Sequence, residues 1–431
     1  MEEDLKRKIG VPFQNMKPDN WVNLALAATL SFYLVLIMFF IFNTRICGIL
    51  ASDYCAYWSA GRIINERSIS DVYNLELLTQ YQKEIYPHGD SAFFEPFGIM
   101  YPPIFLLPFA LFAFLSLPYS FLVWTLINVI GFVCYLRFFA WKAAGHKLPF
   151  RLLLMIMLCL PFFINLREGQ VNVWLVICIG EFIRWQLLKK PFRAGMWLAG
   201  WLIKPQLLIL IVLHLILKHS AKVLLGFIFL SGIILILSIG LINLSGVLNL
   251  MNIIQEASAG GVTSNISVMM NWRMLGWHIG DLTSLSLGRM VTIFGSLVTV
   301  GVTLFFFSKD NKREPTKDVI ALLGIIAATL SISWHAHFHT SLVLLPPMIY
   351  LILNDRFNNK IFITWIFVPI IIQFFNRVLL VFIDVGFLGT IFSSAIRLTT
   401  GLRGLILNLL ILFWSLIQYS SLNDKLLEKK V

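Results

Sequence analysis

Residues 223–242 read VLLGFIFLSGIILILSIGLI, twenty consecutive positions without a charged side chain. At about 1.5 Å of rise per residue, a helix of this length crosses the roughly 30 Å hydrocarbon core of a bilayer. Similar apolar runs recur along the 431 residues, of which 58% are hydrophobic and 13% charged, with a mean hydropathy of +0.82. A soluble globular chain is about half apolar and a quarter charged. The sequence therefore predicts an all-α polytopic membrane protein, with one membrane domain over residues 1–431 and no separate soluble module.

The formal charge of +12 invites a nucleic-acid reading. The lysines and arginines, however, lie in short stretches between apolar runs, where they report topology. No nucleic-acid partner is expected; membrane lipids are. The first twenty residues are polar, and the run after them is too long for the core of a signal peptide, so residues 1–20 read as an uncleaved cytoplasmic segment. Cys134, Cys159 and Cys178 lie within apolar runs and read as filler. Cys47 and Cys55 are placed to pair on the outer side, which two cysteines do not by themselves establish.

Lys6, Arg7 and Lys8 precede the first run, Trp21 to Ile46, and put the N-terminus in the cytoplasm. The clusters Lys142/Lys147/Arg151, Arg184/Lys189/Lys190/Arg193, Lys218/Lys222, Lys309/Lys312/Arg313/Lys317 and Arg356/Lys360, and the tail at 421–431, belong on the same side. Counting the crossings these anchors allow gives about 12 transmembrane helices. Asp53 outside and Lys142 inside require an odd number between them, yet residues 97–141 hold two apolar segments split at Leu117-Pro118. The proline-led piece Tyr101 to Leu117 therefore reads as a re-entrant or shallow outer helix, and Tyr119 to Ala140 as the crossing. Irregular backbone at that depth has to line a cavity. The hairpin between Arg151 and Arg184 turns outside at Arg167 to Asn172. Between Arg193 and Lys218, two readings stand. One is a pair of short helices with Lys204-Pro205 at the apex, where proline breaks the helix. The other is a single long span with Lys204 reaching to headgroups. A catalytic outer loop at 47–100, a second outer loop at 243–284 containing Gly260-Gly261, and Trp334 to His339 all fall on one side, although none of them entered the count.

Asp53 opens the run DYCAYWSAG at 53–61 and leads into tyrosine-rich sequence (Tyr54, Tyr57, Tyr73, Tyr81, Tyr86). A carboxylate just outside the bilayer can take a proton from a sugar hydroxyl; it can also be a helix cap. Tyr57 and Tyr101, with Asn265 and Ser267, are candidates to line the cavity and the acceptor. Glu168, Gln170 and Asn172 form a hydrogen-bonding tip, or a plain polar turn. An ammonium at the depth of Lys204 calls for an anion, and a lipid-linked phosphate is the obvious one. Arg273, Arg377 and Arg397 are the alternatives, or else interfacial anchors. On a helix, His335 and His339 would share a face and His337 would point away. No carboxylate or cysteine is near them in sequence. A hydrogen bond from one histidine to a phosphate or hydroxyl is therefore favoured over a zinc site, and neither a metal nor another cofactor is expected. No nucleotide-binding or zinc-protease motif is present.

These features follow an order. Asp53, Gly61, Tyr73 and Tyr101-Pro102-Pro103 are followed by Gly169-Gln170-Val171-Asn172, Lys204-Pro205, Asn265-x-Ser267 with Arg273, and Ser333-Trp334-x-x-His337-Phe338 before Leu345-Pro346. From about residue 50 to 350 the chain resembles glycosyltransferase family 87, which includes mannosyltransferases. The family's Trp-Asp-His-His is Trp334-His335-Ala336-His337 here. The resemblance implies the C-type glycosyltransferase fold and a polyprenyl-phosphate-linked sugar as donor. It implies Asp53 as base toward a lipid or glycan acceptor, and His337 near the donor phosphate. It also implies a cell-envelope enzyme of a bacterial inner membrane with its active site outside. A transporter or flippase of lipid-linked sugars is the competing class, but no internal repeat of paired broken helices is evident.

The sidedness is testable. Membrane-impermeant thiol labelling of intact cells is expected to modify a cysteine introduced near residue 70 and to spare one near residue 190. Equal protection at both positions would overturn the topology.

Overall fold

The computed structural model describes residues 20–43, 47, 52–85, 97–259, 265–308, 314–384 and 390–428. The basic groups at 6–8, 309–313 and 429–430, Tyr86 and Gly260-Gly261 lie outside them. Every described element is helical. In chain order the first are α1 (Asn20–Asn43), α2 (Ser52–Glu66), α3 (Leu75–Ile85), α4 (Leu107–Phe112), α5 (Leu117–Ala143), α6 (Phe150–Met157), α7 (Leu160–Glu168), α8 (Asn172–Leu187) and α9 (Pro191–Leu198). They are followed by α10 (Ile209–Leu217), α11 (Ala221–Leu241), α12 (Leu244–Ala259), α13 (Trp272–Leu282), α14 (Leu285–Ser308), α15 (Pro315–Ile332), α16 (Leu345–Leu353), α17 (Asn359–Asp384) and α18 (Thr390–Glu428).

Among the described residues, seven helices are long and apolar enough to cross a membrane: α1, α5, α11, α14, α15, α17 and α18. The pair α6–α7, bent by 52°, would make an eighth if it forms one span. The chain is thus a multi-pass membrane protein. The apolar stretches at 172–187, 191–217 and 338–353 are not long helices. α8 has 16 residues, and α9, α10 and α16 have 8, 9 and 9. Proline starts α9 and α16 and follows Lys204, and it ends the helix before it.

α15 is the central helix, with 78% of its apolar window buried. α11, with 17%, presents most of its apolar side chains outward, as a lipid-facing helix must when nothing else covers them. α9 lies tightly on α11 because of two glycines. A Cβ on Gly195 would meet the Val223 carbonyl oxygen at 1.9 Å, and one on Gly226 would meet that of Phe192 at 1.9 Å. Without a hydrophobic drive between helices in lipid, such close backbone approach supplies the packing.

Within 47–100, the described residues 52–85 fold into α2, the 3₁₀ turn Ile69–Tyr73 and α3. Nine consecutive or near-consecutive residues of α2, from Tyr54 to Ile63, are buried. Cys55 forms a disulfide with Cys47, which ties the start of α2 to the chain leaving α1. Tyr101-Pro102-Pro103 is irregular backbone. The 3₁₀ turn Pro103–Phe105 and α4 follow it, and the Tyr101 carbonyl accepts a hydrogen bond from Tyr73 at 2.6 Å.

Candidate active site

Four interruptions in helices converge at one place: the N-terminus of α2, the turn between α7 and α8, the break at Lys204, and residues 333–339. Each is built locally. α7 ends at Gly169, whose φ of 71° is left-handed. The Gln170 amide donates to the Asn165 carbonyl at 2.9 Å, and together these satisfy the helix end. A Cβ on Gly169 would lie 2.5 Å from that of Tyr54, so α2 sits directly against the turn. Trp124 Nε1 donates to the Gly169 carbonyl at 2.9 Å, and Tyr54 bonds to Ser120 at 2.6 Å. These contacts set the residue after Gly169 against the residue before Tyr54, and Gln170 Nε2 donates to Asp53 Oδ2.

Lys204 arrives from below. The chain changes from α9 through a 3₁₀ turn at Ala199–Ile203 to a second at Pro205–Leu207, with Lys204 extended between them. That decides between the two sequence readings: the helix is broken, and Lys204 is buried rather than reaching to headgroups. Its Nζ donates to Gln170 Oε1 and to Asn172 Oδ1, each at 3.0 Å. Asn172 Nδ2 donates in turn to Asn165 Oδ1 at 3.0 Å. Gln170 thus bridges Asp53 and Lys204 with its two ends.

The histidine segment is not an α-helix. Residues 333–337 are not helical and His339 lies in a 3₁₀ helix, Phe338–Leu344, so His335 and His339 do not share an α-helical face. Ser333 is the residue after α15, and the backbone beyond it is held open by side chains. Asn271 donates to the Ser333 carbonyl at 2.6 Å, Arg273 to that of Trp334 at 2.9 Å, and Gln206 to that of His335 at 3.3 Å. The three imidazoles run in a row, with centroids 4.9 and 5.8 Å apart. His339 Nδ1 lies 3.0 Å from Glu168 Oε2, and Glu168 also pairs with Arg167. The carboxylate that is missing near the histidines in sequence is supplied across 171 positions of chain. No set of three metal-ligating side chains is gathered among the described residues.

The charges sort themselves by these contacts. Burial and the neighbouring Glu168 carboxylate push Asp53 up to about 7, while Gln170, Lys204 and Arg167 act in the opposite sense. A carboxyl so placed is poised between its two forms near neutral pH. Burial pushes His337 down to about 3, so it stays neutral. Tyr57 OH bonds to Tyr101 OH at 2.8 Å, and the charge of Asp53 bears on both tyrosines, which places them beside the carboxylate.

Asp53, Gln170, Asn172, Lys204, His337, Tyr57 and Tyr101 are therefore brought together. Arg273 spends its guanidinium on the carbonyls of Trp334 and Ser258 and acts on the site by holding the histidine segment. Asn265 is exposed and bonds to Ser267 at 2.6 Å, and the Ser267 carbonyl bonds to His278. Arg397 is exposed. Two members of the site had no signal pointing to them: Asn165, a polar residue one turn before the helix end, and Arg167 as a partner of Glu168. Gly169→Ala tests the geometry. It forces a side chain into a left-handed position and against Tyr54. We expect at least about 1–2 kcal/mol of lost stability, read as a lower Tm in detergent, with loss of activity; unchanged Tm and activity would refute the close approach.

The model of glycosyltransferase family 87 matches residues 99–333. Gln170, Asn172, Lys204 and Arg273 lie within the match; Asp53 and the histidines flank it. No curated protein and no solved structure gives a match to the chain. The family match covers more than half of the 431 residues and decides between a transferase and a transporter: this multi-pass membrane protein belongs to glycosyltransferase family 87.

Proposed function

We propose that the protein transfers a sugar, mannose or another hexose or pentose, from a polyprenyl phosphate to a hydroxyl of a lipid or glycan acceptor. The reaction takes place at the outer face of a bacterial inner membrane, within the C-type fold. The short helices α8 to α10 and α16 would supply the crossings that the seven long helices do not. The observation that carries this reading is the Asp53 carboxylate, held in a hydrogen-bonded network that ends on the buried Lys204 ammonium.

In the proposed step Asp53 accepts the proton of the acceptor hydroxyl. The acceptor oxygen forms a bond to the anomeric carbon as the bond from that carbon to the phosphate oxygen breaks, and the electron pair leaves on the phosphate. Attack opposite the leaving group inverts the configuration. Lys204 uses two of its three N–H bonds on Gln170 and Asn172; the third is available to the departing phosphate, with neutral His337 as a second donor. Fixed donors aimed at charge that develops in the transition state are strong contributors in a site sheltered from water. A lysine supplies the positive charge in this scheme, so no metal is invoked.

Asp53→Asn is expected to abolish transfer while expression and donor binding stay near wild type. Retention of more than about a tenth of turnover would sink the role, because a general base is worth about 10²–10⁴ in rate. The pH profile is a second readout. The working form of Asp53 is the carboxylate, so kcat/KM is expected to fall as the pH drops below about 7. Lys204 lowers the Asp53 pKa, so Lys204→Met is expected to move that acid limb to higher pH. An acid limb unmoved by Lys204→Met would separate the lysine from the base.

A further inference from the structure

Three arginines lie on apolar helices next to the site. Arg167 ends α7, Arg377 lies on α17 and Arg403 on α18. The charge of Arg167 bears on both of the others, and Tyr33 of α1 also bears on Arg403. Arg403 is 4% exposed. Its Nη1 donates to the Pro369 carbonyl at 3.1 Å and to Gln373 Oε1 at 3.0 Å, and its guanidinium lies 5.0 Å from the Phe338 ring. Yet the Nε atoms of Arg167, Arg377 and Arg403 are all buried without a hydrogen-bond partner among the described residues. The hydroxyl of Tyr33, 5% exposed, is buried and unpartnered too. One carboxylate, Glu168, pairs with Arg167, and it is shared with His339.

Among the described residues, three guanidiniums and a phenol with unused donors are offset by one shared carboxylate, and the group calls for an anion. Charges at membrane depth are costly unless paired, and guanidinium is well suited to phosphate oxygens. The surroundings point to a lipid as the bearer. α1 and α17 meet through Phe32 and Phe374, 5.7 Å apart. Leu30 and Leu34 on one helix and Phe374 and Phe375 on the other are exposed outward, where acyl chains would lie. Arg167 adjoins the active site through Glu168, but Arg403 donates to Pro369 and Gln373 whereas Lys204 donates to Gln170 and Asn172, so Arg403 and the group assigned to the donor phosphate have no hydrogen-bond partner in common.

We infer that Arg167, Arg377 and Arg403, with Tyr33, bind the anionic phosphodiester headgroup of a glycerophospholipid whose chains lie against α1 and α17. The choice of this lipid over a polyprenyl phosphate rests on the reading of Lys204 given above; the need for an anion does not.

The test uses the full chain purified in detergent and stripped of lipid. Native mass spectrometry and thermal unfolding are followed while phosphatidylglycerol or zwitterionic phosphatidylcholine is added. Wild type is expected to retain one phosphatidylglycerol per chain and to be stabilised by it more than by phosphatidylcholine. Arg377→Gln and Arg403→Gln are expected to weaken this binding at least about ten-fold, with part of it kept in Arg403→Lys. Arg377 is only half-buried, so Arg377→Gln remains informative if the Arg403 variants fold poorly. Equal response to the two phospholipids, or wild-type phosphatidylglycerol binding in Arg377→Gln, overturns the site. Displacement of the bound lipid by undecaprenyl phosphate overturns its assignment to a glycerophospholipid. Asp53→Asn is expected to bind phosphatidylglycerol as wild type does, so loss of the catalytic reading leaves this result standing.

Discussion

The Lys204 ammonium, donating to Gln170 and Asn172 inside the protein, sets the terms for everything around it. A buried charge is tolerated when it is paired and its hydrogen bonds are made; removing one partner typically costs about 3–5 kcal/mol. To place that ammonium the helix between Arg193 and Lys218 has to stop. The freed backbone is then satisfied by 3₁₀ turns, and Gln206 is brought under the His335 carbonyl. The same demand fixes the turn after α7, since Gln170 has to reach Lys204 with its oxygen and Asp53 with its nitrogen.

Asp53 is held from several directions at once. The disulfide between Cys47 and Cys55 brackets it in sequence. Tyr54 and Tyr57, on either side of the first turn of α2, bond to Ser120 and Tyr101. Gly169 lets α7 come close enough for Gln170 to make its contact. A carboxylate fixed this firmly loses little further freedom on meeting a substrate, which is the advantage of a preorganised site. Its burial, together with Glu168, is what raises its pKa into the range of a working base.

The helices divide between two tasks. α11, α5 and α14 keep only about a fifth of their apolar windows covered and serve as the lipid-facing wall. α15, and the histidine segment that follows it, are enclosed, so polar groups placed at its end see protein rather than hydrocarbon. Irregular backbone at 101–105, 199–207 and 333–337 is confined to this enclosed zone, as it must be where there is no water to satisfy it.

The membrane class and the long spans were legible because twenty-residue apolar runs have one stable solution in a bilayer. Proline and charge marked the breaks at 101–103 and at 204, because neither fits a continuing apolar helix. Parity between basic clusters assigned Asp53, Gln170 and His337 to one side of the membrane and left Lys204 between two readings. Local periodicity does not describe the histidines, because the run Ser333 to His337 is held open by Asn271, Arg273 and Gln206 from elsewhere in the chain. Within the outer loop at 47–100, α2 packs against α4, a contact that the sequence pattern did not specify. The pairings Glu168–His339 and Asp53–Gln170 join residues more than a hundred positions apart. Sequence by itself determined that the chain is a multi-pass membrane protein and where its long apolar runs lie. Which polar groups meet at the helix breaks was decided only by the tertiary fold, because hydrogen bonds between distant residues depend on how the helices pack and leave no periodic signal in the chain.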